Sequence, residues 1–491
     1  MHINPLLMID GYKADHRRQY PDGTEVVFSN LTPRKSRLEG VDFCVFFGLQ
    51  YFIKEYLVKR FEEDFFNLPR DYVMSCYKKR LDSYLGGDFS VEHIGELWDL
   101  GYLPLEVRAV PEGTKVPIGV PCFTIRNTDP RFFWLTNQLE TILSCSVWQA
   151  CTSATIAHMY RVEFEKSAER TGLEKWFVDF QGHDFSFRGM SSFESACLSG
   201  AAHLLSFKGT DTIPAIDFIE QYYRGDGTEG CSVAASEHSV ATLNIGSIGG
   251  DLLEAERQSI LRLITEVYPT GVFSYVADSY DFWGVVTDIL PTISNEIMAR
   301  NGTLVIRPDT GTPELIICGD PNAPEGSPEY KGAFQCLWEI FGGTINDKGF
   351  KVLDSHVGLI YGDSITRERQ KLILQGLEAK GFAPSVVLGI GSFTYNFNTR
   401  DTLGFAVKST WGQVDGKSCE IFKSPKTDKG GEKKSAKGYL TTVKVGDTIS
   451  LVDRMTPMSS HPNDLMETVF VDGRITKDWK FSEIKELLND R

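Results

Sequence analysis

The sequence predicts an α/β protein in which a parallel sheet, covered by helices, is flanked by sheet-rich segments at 1–145 and 403–491. Three observations predict it. Between about 146 and 402, continuous apolar runs of strand length alternate with amphipathic stretches, as a parallel sheet buried on both faces requires. Most of those runs end in polar residues or glycine. The flanks carry runs of strand character around turn residues.

In 1–145, "DFFNLPRDYVMSCYKKRLDSYLG" reads as helical. "LPLEVRAVPEGTKVPIGVPCFTIRN" reads as strands around a "PEGT" turn, with Glu106, Arg108 and Lys115 alternating with apolar neighbours to give one wet face. In 146–402, "KWFVDF", "GVFSYVADS", "GTLVIRPDTG", "VGLIYGDS" and "PSVVLGIGS" read as strands, and "SITRERQKLILQGLEAKGF" as an intervening helix. The run ends carry Asp278, then Arg307 and Asp309, then Gly362 and Asp363, then Gly391 and Ser392. A β/α barrel collects its functional groups at the carboxyl ends of its strands. An open doubly wound sheet does the same, and the barrel is favoured. After 403, "TLGFAVKSTW", "KSCEIFKSP", "GYLTTVKVGDTISLVD" and "METVFVDGRIT" are again strand-like. The Lys- and Gly-rich stretch 423–438 reads as a mobile surface loop.

The 491 residues exceed one simple core, so two domains are expected. A formal net charge of -15 argues against wholesale nucleic-acid binding. An anion site would need its basic residues concentrated in one place. The start, "MHINPLLMIDGYKADHRRQYP", lacks the apolar core of a secretory signal. No run approaches the ~18 apolar residues of a membrane span. The 10 cysteines form no C-x-x-C pair, and even the closest two, Cys145 and Cys151, fit no zinc spacing. Reduced thiols in a cytoplasm are the expectation.

"VIRPDTG", 305–311, delivers Arg307 and Asp309 from a strand end. An Arg fork matches a phosphate, and a nearby Asp can accept from a sugar diol. "GIGS", 389–392, can offer backbone N–H groups to a phosphate, with Arg400 close behind. "YGDS" adds Asp363, and together these describe a pocket for a phosphorylated sugar. No "GxxxxGK[ST]" and no placed "GxGxxG" is present. "HDFSFRG" offers aromatic faces at Phe185 and Phe187 and the cation Arg188. "SFKGTDT" ends at Asp211, which also suits an N-cap for the helical pattern that follows. "SVAASEHS" sets His238 beside Glu237. That imidazole reads as a structural residue, a metal ligand, a general base or a covalent acceptor.

These stretches, with "DGYKADH" and "ADSYD", occur in an order and spacing that resemble the nicotinate/nicotinamide phosphoribosyltransferase family, on its nicotinamide-using side, over nearly the whole chain. The resemblance implies an irregular β/α barrel-like domain at 146–402 plus a sheet-rich domain formed from both termini, 1–145 and 403–491. It implies transfer of the 5-phosphoribosyl group from phosphoribosyl pyrophosphate to nicotinamide, with Mg²⁺ and with ATP as a coupled substrate. It also implies a homodimer with shared active sites; charge and the lack of a long apolar run leave neither nucleic acid nor membrane as an expected partner.

By resemblance, Phe185 stacks on the nicotinamide ring, with Tyr12 from the other subunit on its second face, and Asp211 accepts from the carboxamide. Ser232 and Ser274 join the substrate-binding set. Arg188 and Arg307 hold anionic groups, and Asp309 and Asp363 contact the ribose or its phosphate surroundings. Gly362 lies beside them. Gly391, Ser392 and Arg400 hold the 5′-phosphate, although Ser392 stands where the family commonly has glycine. Lys408 and Lys423 from the other subunit help bind pyrophosphate or ATP. His238 accepts phosphate from ATP, with Asp278 or Glu237 fixing its tautomer. No metal ligands are assigned. The competing readings are a nicotinate phosphoribosyltransferase, a barrel glycoside hydrolase using Asp278 and Asp309, and a non-enzymatic binding protein.

Overall fold

The computed structural model describes residues 3–423 and 436–489, so most of the expected 423–438 loop lies outside the described residues. The chain divides into two compact units. One comprises Met1–Thr155, Asp217–Asp226 and Asn398–Arg491, and the other Ile156–Ile216 and Gly227–Phe397.

The first unit is built on a seven-stranded antiparallel sheet. Its order is Lys417–Glu420, Phe405–Val414, Thr24–Pro33, Phe123–Asn127, Leu105–Ala109, Glu467–Val471, Arg474–Ile475. Both ends of the sequence therefore supply one sheet. Leu105–Ala109 alternates buried and half-buried residues, which is the wet face read from its pattern. On that face Glu106 lies opposite Arg126 and accepts from its Nε at 2.7 Å.

Lys115 does not continue this ladder. Lys115–Pro117 pairs instead with Phe43–Val45. The turn before it is tied elsewhere: Glu112 is buried and accepts from the Gly48 and Gln50 N–H groups. The C-terminal strands Tyr439–Val445 and Thr448–Met455 form a separate hairpin. Its two-residue turn has Gly446 at φ +59, the left-handed position that such turns require.

The second unit holds a seven-stranded parallel sheet. Its order is Gly209–Thr210, Gly182–Asp184, Val386–Ile390, Val357–Tyr361, Leu304–Arg307, Phe273–Val276, Ala234–Ala235. Gly209, on the first strand, also bridges Cys231, three residues before the last strand. The sheet thus curls round until its two edges meet, as an irregular barrel. Because the strands are parallel, all their carboxyl ends fall on one rim.

The run "KWFVDF" is not a strand. Lys175–Gln181 is a helix, and the barrel strand is the following Gly182–Asp184. Periodicity does not separate a short apolar helix from a buried strand. Here Val178 and Gln181, three apart, are the buried pair.

Candidate active site

The rim of the barrel opens on two adjoining cavities. One, of about 510 Å³, is mainly apolar, and its walls include Phe177, Phe180, Val305 and Ser274. The other, of about 1040 Å³, is polar and includes Arg188, Asp309, Asp363, Gly391 and Ser392. Phe185, Asp211 and Arg307 line both.

Phe185 follows the Gly182–Asp184 strand. Its ring is accommodated by a glycine on the next strand: a Cβ at Gly389 would sit 2.5 Å from the Phe185 ring. Asp211 follows Gly209–Thr210. Its Oδ1 lies 2.8 Å from His183 Nε2 and accepts from the Ser232 hydroxyl at 2.8 Å. Burial raises the Asp211 carboxyl, but the bonds from His183 and Ser232 and the Arg307 charge outweigh it and hold the group below the usual range. Ser274, almost fully buried, has no partner for its hydroxyl among the described residues.

His238 begins the helix His238–Ile248. Its Nε2 lies 2.9 Å from Asp278 Oδ1, with the imidazole half-exposed and the carboxylate buried. The other carboxylate oxygen of Asp278 accepts from Asp309 N–H at 2.9 Å and from the Thr310 hydroxyl at 2.6 Å. Burial works to raise the Asp278 carboxyl, yet these donors together keep it below its ordinary value. Glu237 instead accepts from the Ser239 hydroxyl. Of the two carboxylates weighed for His238, Asp278 is the one in contact. Held by three donors, it is poorly placed as a glycosidase acid or nucleophile.

Arg307 closes its strand and points its Nε toward Asp309 Oδ2 at 3.3 Å. Asp309 Oδ1 is buried without a partner among the described residues. Burial, with the Asp278 and Asp363 charges adding, raises the Asp309 carboxyl against the pull of Arg307. A Cβ at Gly362 would lie 2.4 Å from Asp309 Oδ1, so glycine there makes room for the carboxylate. Asp363 Oδ2 accepts from Ser364, a non-glycine residue at φ +59. Across the polar cavity, Ser392 packs against Gly189: a Cβ there would overlap the Ser392 hydroxyl.

Tyr12, Arg400, Lys408 and Lys423 belong to the first unit. Tyr12 is exposed. Partial burial, then the charges of Glu140 and Asp10, raise its phenol, and Arg400 opposes them. Lys408 is exposed on Phe405–Val414, yet the protein around it strips enough hydration to lower its ammonium; Glu140 counters this, while Arg34, Lys13 and Arg400 reinforce it. Tyr12, Arg400 and Lys408 therefore share one largely basic neighbourhood. Lys423 is the last described residue before 424.

Neither His183 nor Thr310 is marked out by composition or motif. The two-residue spacing of His183 and Phe185 was the available signal, since alternate residues leaving a strand face the same way.

The nicotinate phosphoribosyltransferase (NAPRTase) family model matches residues 180–472. The nicotinamide phosphoribosyltransferase N-terminal domain model matches residues 4–81. The chain is 50% identical to a nicotinamide phosphoribosyltransferase of Acinetobacter baylyi, covering 99% of this chain and 97% of that protein. It is 33% identical to one from Xanthomonas campestris pv. campestris, covering 98% and 97%. Among solved structures, human nicotinic acid phosphoribosyltransferase matches with TM-score 0.59 at 17% identity, covering 98% of this chain and 93% of that one. The nicotinate-nucleotide pyrophosphorylase of Pyrococcus furiosus matches with TM-score 0.58 at 15% identity, covering 98% and 92%. These two similarities show a shared fold.

Proposed function

Because this chain belongs to the nicotinate phosphoribosyltransferase family, on the side of its nicotinamide phosphoribosyltransferase relatives, we propose that it transfers the 5-phosphoribosyl group from phosphoribosyl pyrophosphate to nicotinamide. The products are nicotinamide mononucleotide and pyrophosphate, a step of NAD salvage. The observation that carries the choice of base is Asp211, a carboxylate held ionised beside Phe185 where the apolar and polar cavities meet. It can accept from a carboxamide N–H and would repel the carboxylate of nicotinate. The unpartnered Ser274 hydroxyl is free to donate to the carboxamide oxygen.

The pyridine nitrogen attacks ribose C1 as the bond to pyrophosphate breaks, with inversion and oxocarbenium character. That nitrogen carries no proton, so no general base is needed, and positioning and electrostatics supply the rate. Phe185 and Tyr12 of the partner subunit sandwich the base in a homodimer with shared sites. Arg188 and Arg307 hold anionic groups, Asp309 and Asp363 contact the ribose and its surroundings beside Gly362, and Ser232 braces Asp211. Gly391, Ser392 and Arg400 take the 5′-phosphate, with Lys408 and Lys423 on pyrophosphate or ATP. No cluster of three His, Cys, Asp or Glu residues for a metal occurs among the described residues. Asp309 Oδ1 is nonetheless a buried, unpartnered oxygen at the polar cavity, suited with Asp363 to a Mg²⁺ carried largely by substrate phosphates. Bound there, Mg²⁺ would supply neutralisation of the departing pyrophosphate.

ATP couples through His238. With Nε2 on Asp278, Nδ1 is the free nucleophile. Its lone pair attacks the γ-phosphorus, the bond to the bridging oxygen breaks, and ADP leaves with that electron pair. The ring becomes cationic, and the ionised, buried Asp278 balances that charge. Water later cleaves the N–P bond to release phosphate.

A cytoplasmic location is part of the proposal, in keeping with ten cysteines that form no disulfide. No helix among the described residues is long and apolar enough to cross a membrane. The test is turnover of purified protein with phosphoribosyl pyrophosphate and either base. Preference for nicotinate would favour the nicotinate enzyme, and no turnover with either would favour a binding protein.

A further inference from the structure

We propose that His183 is the positioning residue that sets base specificity, by holding Asp211 Oδ1 so that Oδ2 alone is presented to the ligand. The inference rests on the reading that Asp211 accepts from the carboxamide, and it names the group that fixes how it does so.

An ionised carboxylate only accepts, so the 2.8 Å contact requires the proton on His183 Nε2. Ser232 donates to the same oxygen. Oδ1 therefore has two donors, and Oδ2 has none among the described residues. The two donors differ in rigidity. Ser232 is exposed and its hydroxyl can rotate, whereas the His183 side chain is almost fully buried and its ring lies 4.6 Å from that of Phe185.

The barrel makes room for this ring. His183 pairs with Gly209 on one neighbouring strand and with Gly389 on the other. A Cβ at Gly209 would lie 2.6 Å from His183 Nδ1, and one at Gly389 would meet Phe185. The strand register thus places the stacking ring, its imidazole neighbour and the acceptor carboxylate as one assembly. Without the Nε2–H bond, the carboxylate is free to rotate. It would then accept less well from a carboxamide and could turn away from a carboxylate ligand.

The test exploits two amides of different reach. Gln at 183 can place an N–H near the Nε2 position, whereas Asn reaches only about as far as Nδ1. We expect His183→Asn to raise the KM for nicotinamide about 10-fold and to lower the nicotinamide-to-nicotinate ratio of kcat/KM. The KM for phosphoribosyl pyrophosphate should not change. His183→Gln should stay within about 3-fold of wild type, because the charge-assisted bond is restored. Gly209→Ala, which leaves His183 in place but crowds its ring, should shift both quantities as His183→Asn does. Equal effects of Asn and Gln, or a His183→Asn enzyme with wild-type KM and selectivity, would overturn the inference. A wild-type enzyme preferring nicotinate would instead overturn the reading of Asp211 beneath it.

Discussion

At the scale of single residues, two carboxylates sit below their ordinary range, Asp211 where the two cavities meet and Asp278 behind His238. Asp211→Asn should weaken nicotinamide use by roughly 1.5–3 kcal/mol, the worth of a charge-assisted hydrogen bond. It should also relax discrimination against nicotinate, because the repelling charge is gone. The check is kcat/KM for each base; an unchanged ratio rejects the assignment. For His238, incubation with γ-labelled ATP should leave an acid-labile, base-stable label that His238→Ala abolishes together with ATP stimulation. ATP-independent synthesis should survive in part, since the pyridine nitrogen needs no base. A general base at that position would give no label, and its loss would cost about 10²- to 10⁴-fold with or without ATP.

At the scale of elements, the helix Leu252–Arg262 buries Glu256 against the Phe273–Val276 strand, where its carboxylate accepts from Tyr275 at 3.0 Å. Burial, with the Asp281 and Asp278 charges adding, pushes Glu256 up to about 7, against the Tyr275 bond. A folded-state value above the unfolded ~4.3 means that the group's stabilising contribution is complete below pH ~4.3 and fades as pH rises through about 7. Glu256→Gln stays neutral and can still accept from Tyr275. It should therefore gain on wild type by on the order of 2 kcal/mol at pH 8, and the gain should shrink toward pH 5. Denaturant midpoints across that range provide the check, and a gain independent of pH contradicts it. Continuous apolar runs that end in polar residues or glycine were legible in the sequence: the barrel strands Phe273–Val276, Leu304–Arg307, Val357–Tyr361 and Val386–Ile390 fall within their expected runs. "KWFVDF" was not, because six apolar-rich residues carry too little period to tell helix from strand. The alternation at Lys115 holds, with Lys115 exposed and Val116 buried, but alternation does not name a partner strand, and Lys115–Pro117 pairs with Phe43–Val45.

At the scale of the whole molecule, the strand-end pattern was readable because parallel strands place their carboxyl ends on one rim. The His183–Asp211 pair was not, since residues 28 apart meet only because Gly182–Asp184 and Gly209–Thr210 pair in parallel; for His238 the resemblance left Asp278 and Glu237 open, and the parallel pairing of Ala234–Ala235 with Phe273–Val276 brings it to Asp278. The residues proposed to bind substrate come from both units. Phe185 lies in one unit and Tyr12 in the other. Tyr12→Ala and Phe185→Ala should each weaken nicotinamide binding without unfolding the protein. Mixing the two variants should restore part of the activity, because one site of a heterodimer keeps both rings. Absence of rescue, with subunit exchange confirmed, would put both rings on one chain. Phosphoribosyl transfer that selects a carboxamide by means of a carboxylate is put to a single test by measuring products formed from phosphoribosyl pyrophosphate with nicotinamide and nicotinate in competition. Nicotinamide mononucleotide and pyrophosphate should form in equal amounts, with the nicotinate product a minor component; predominance of the nicotinate product, or no turnover of either base, rules out that selection.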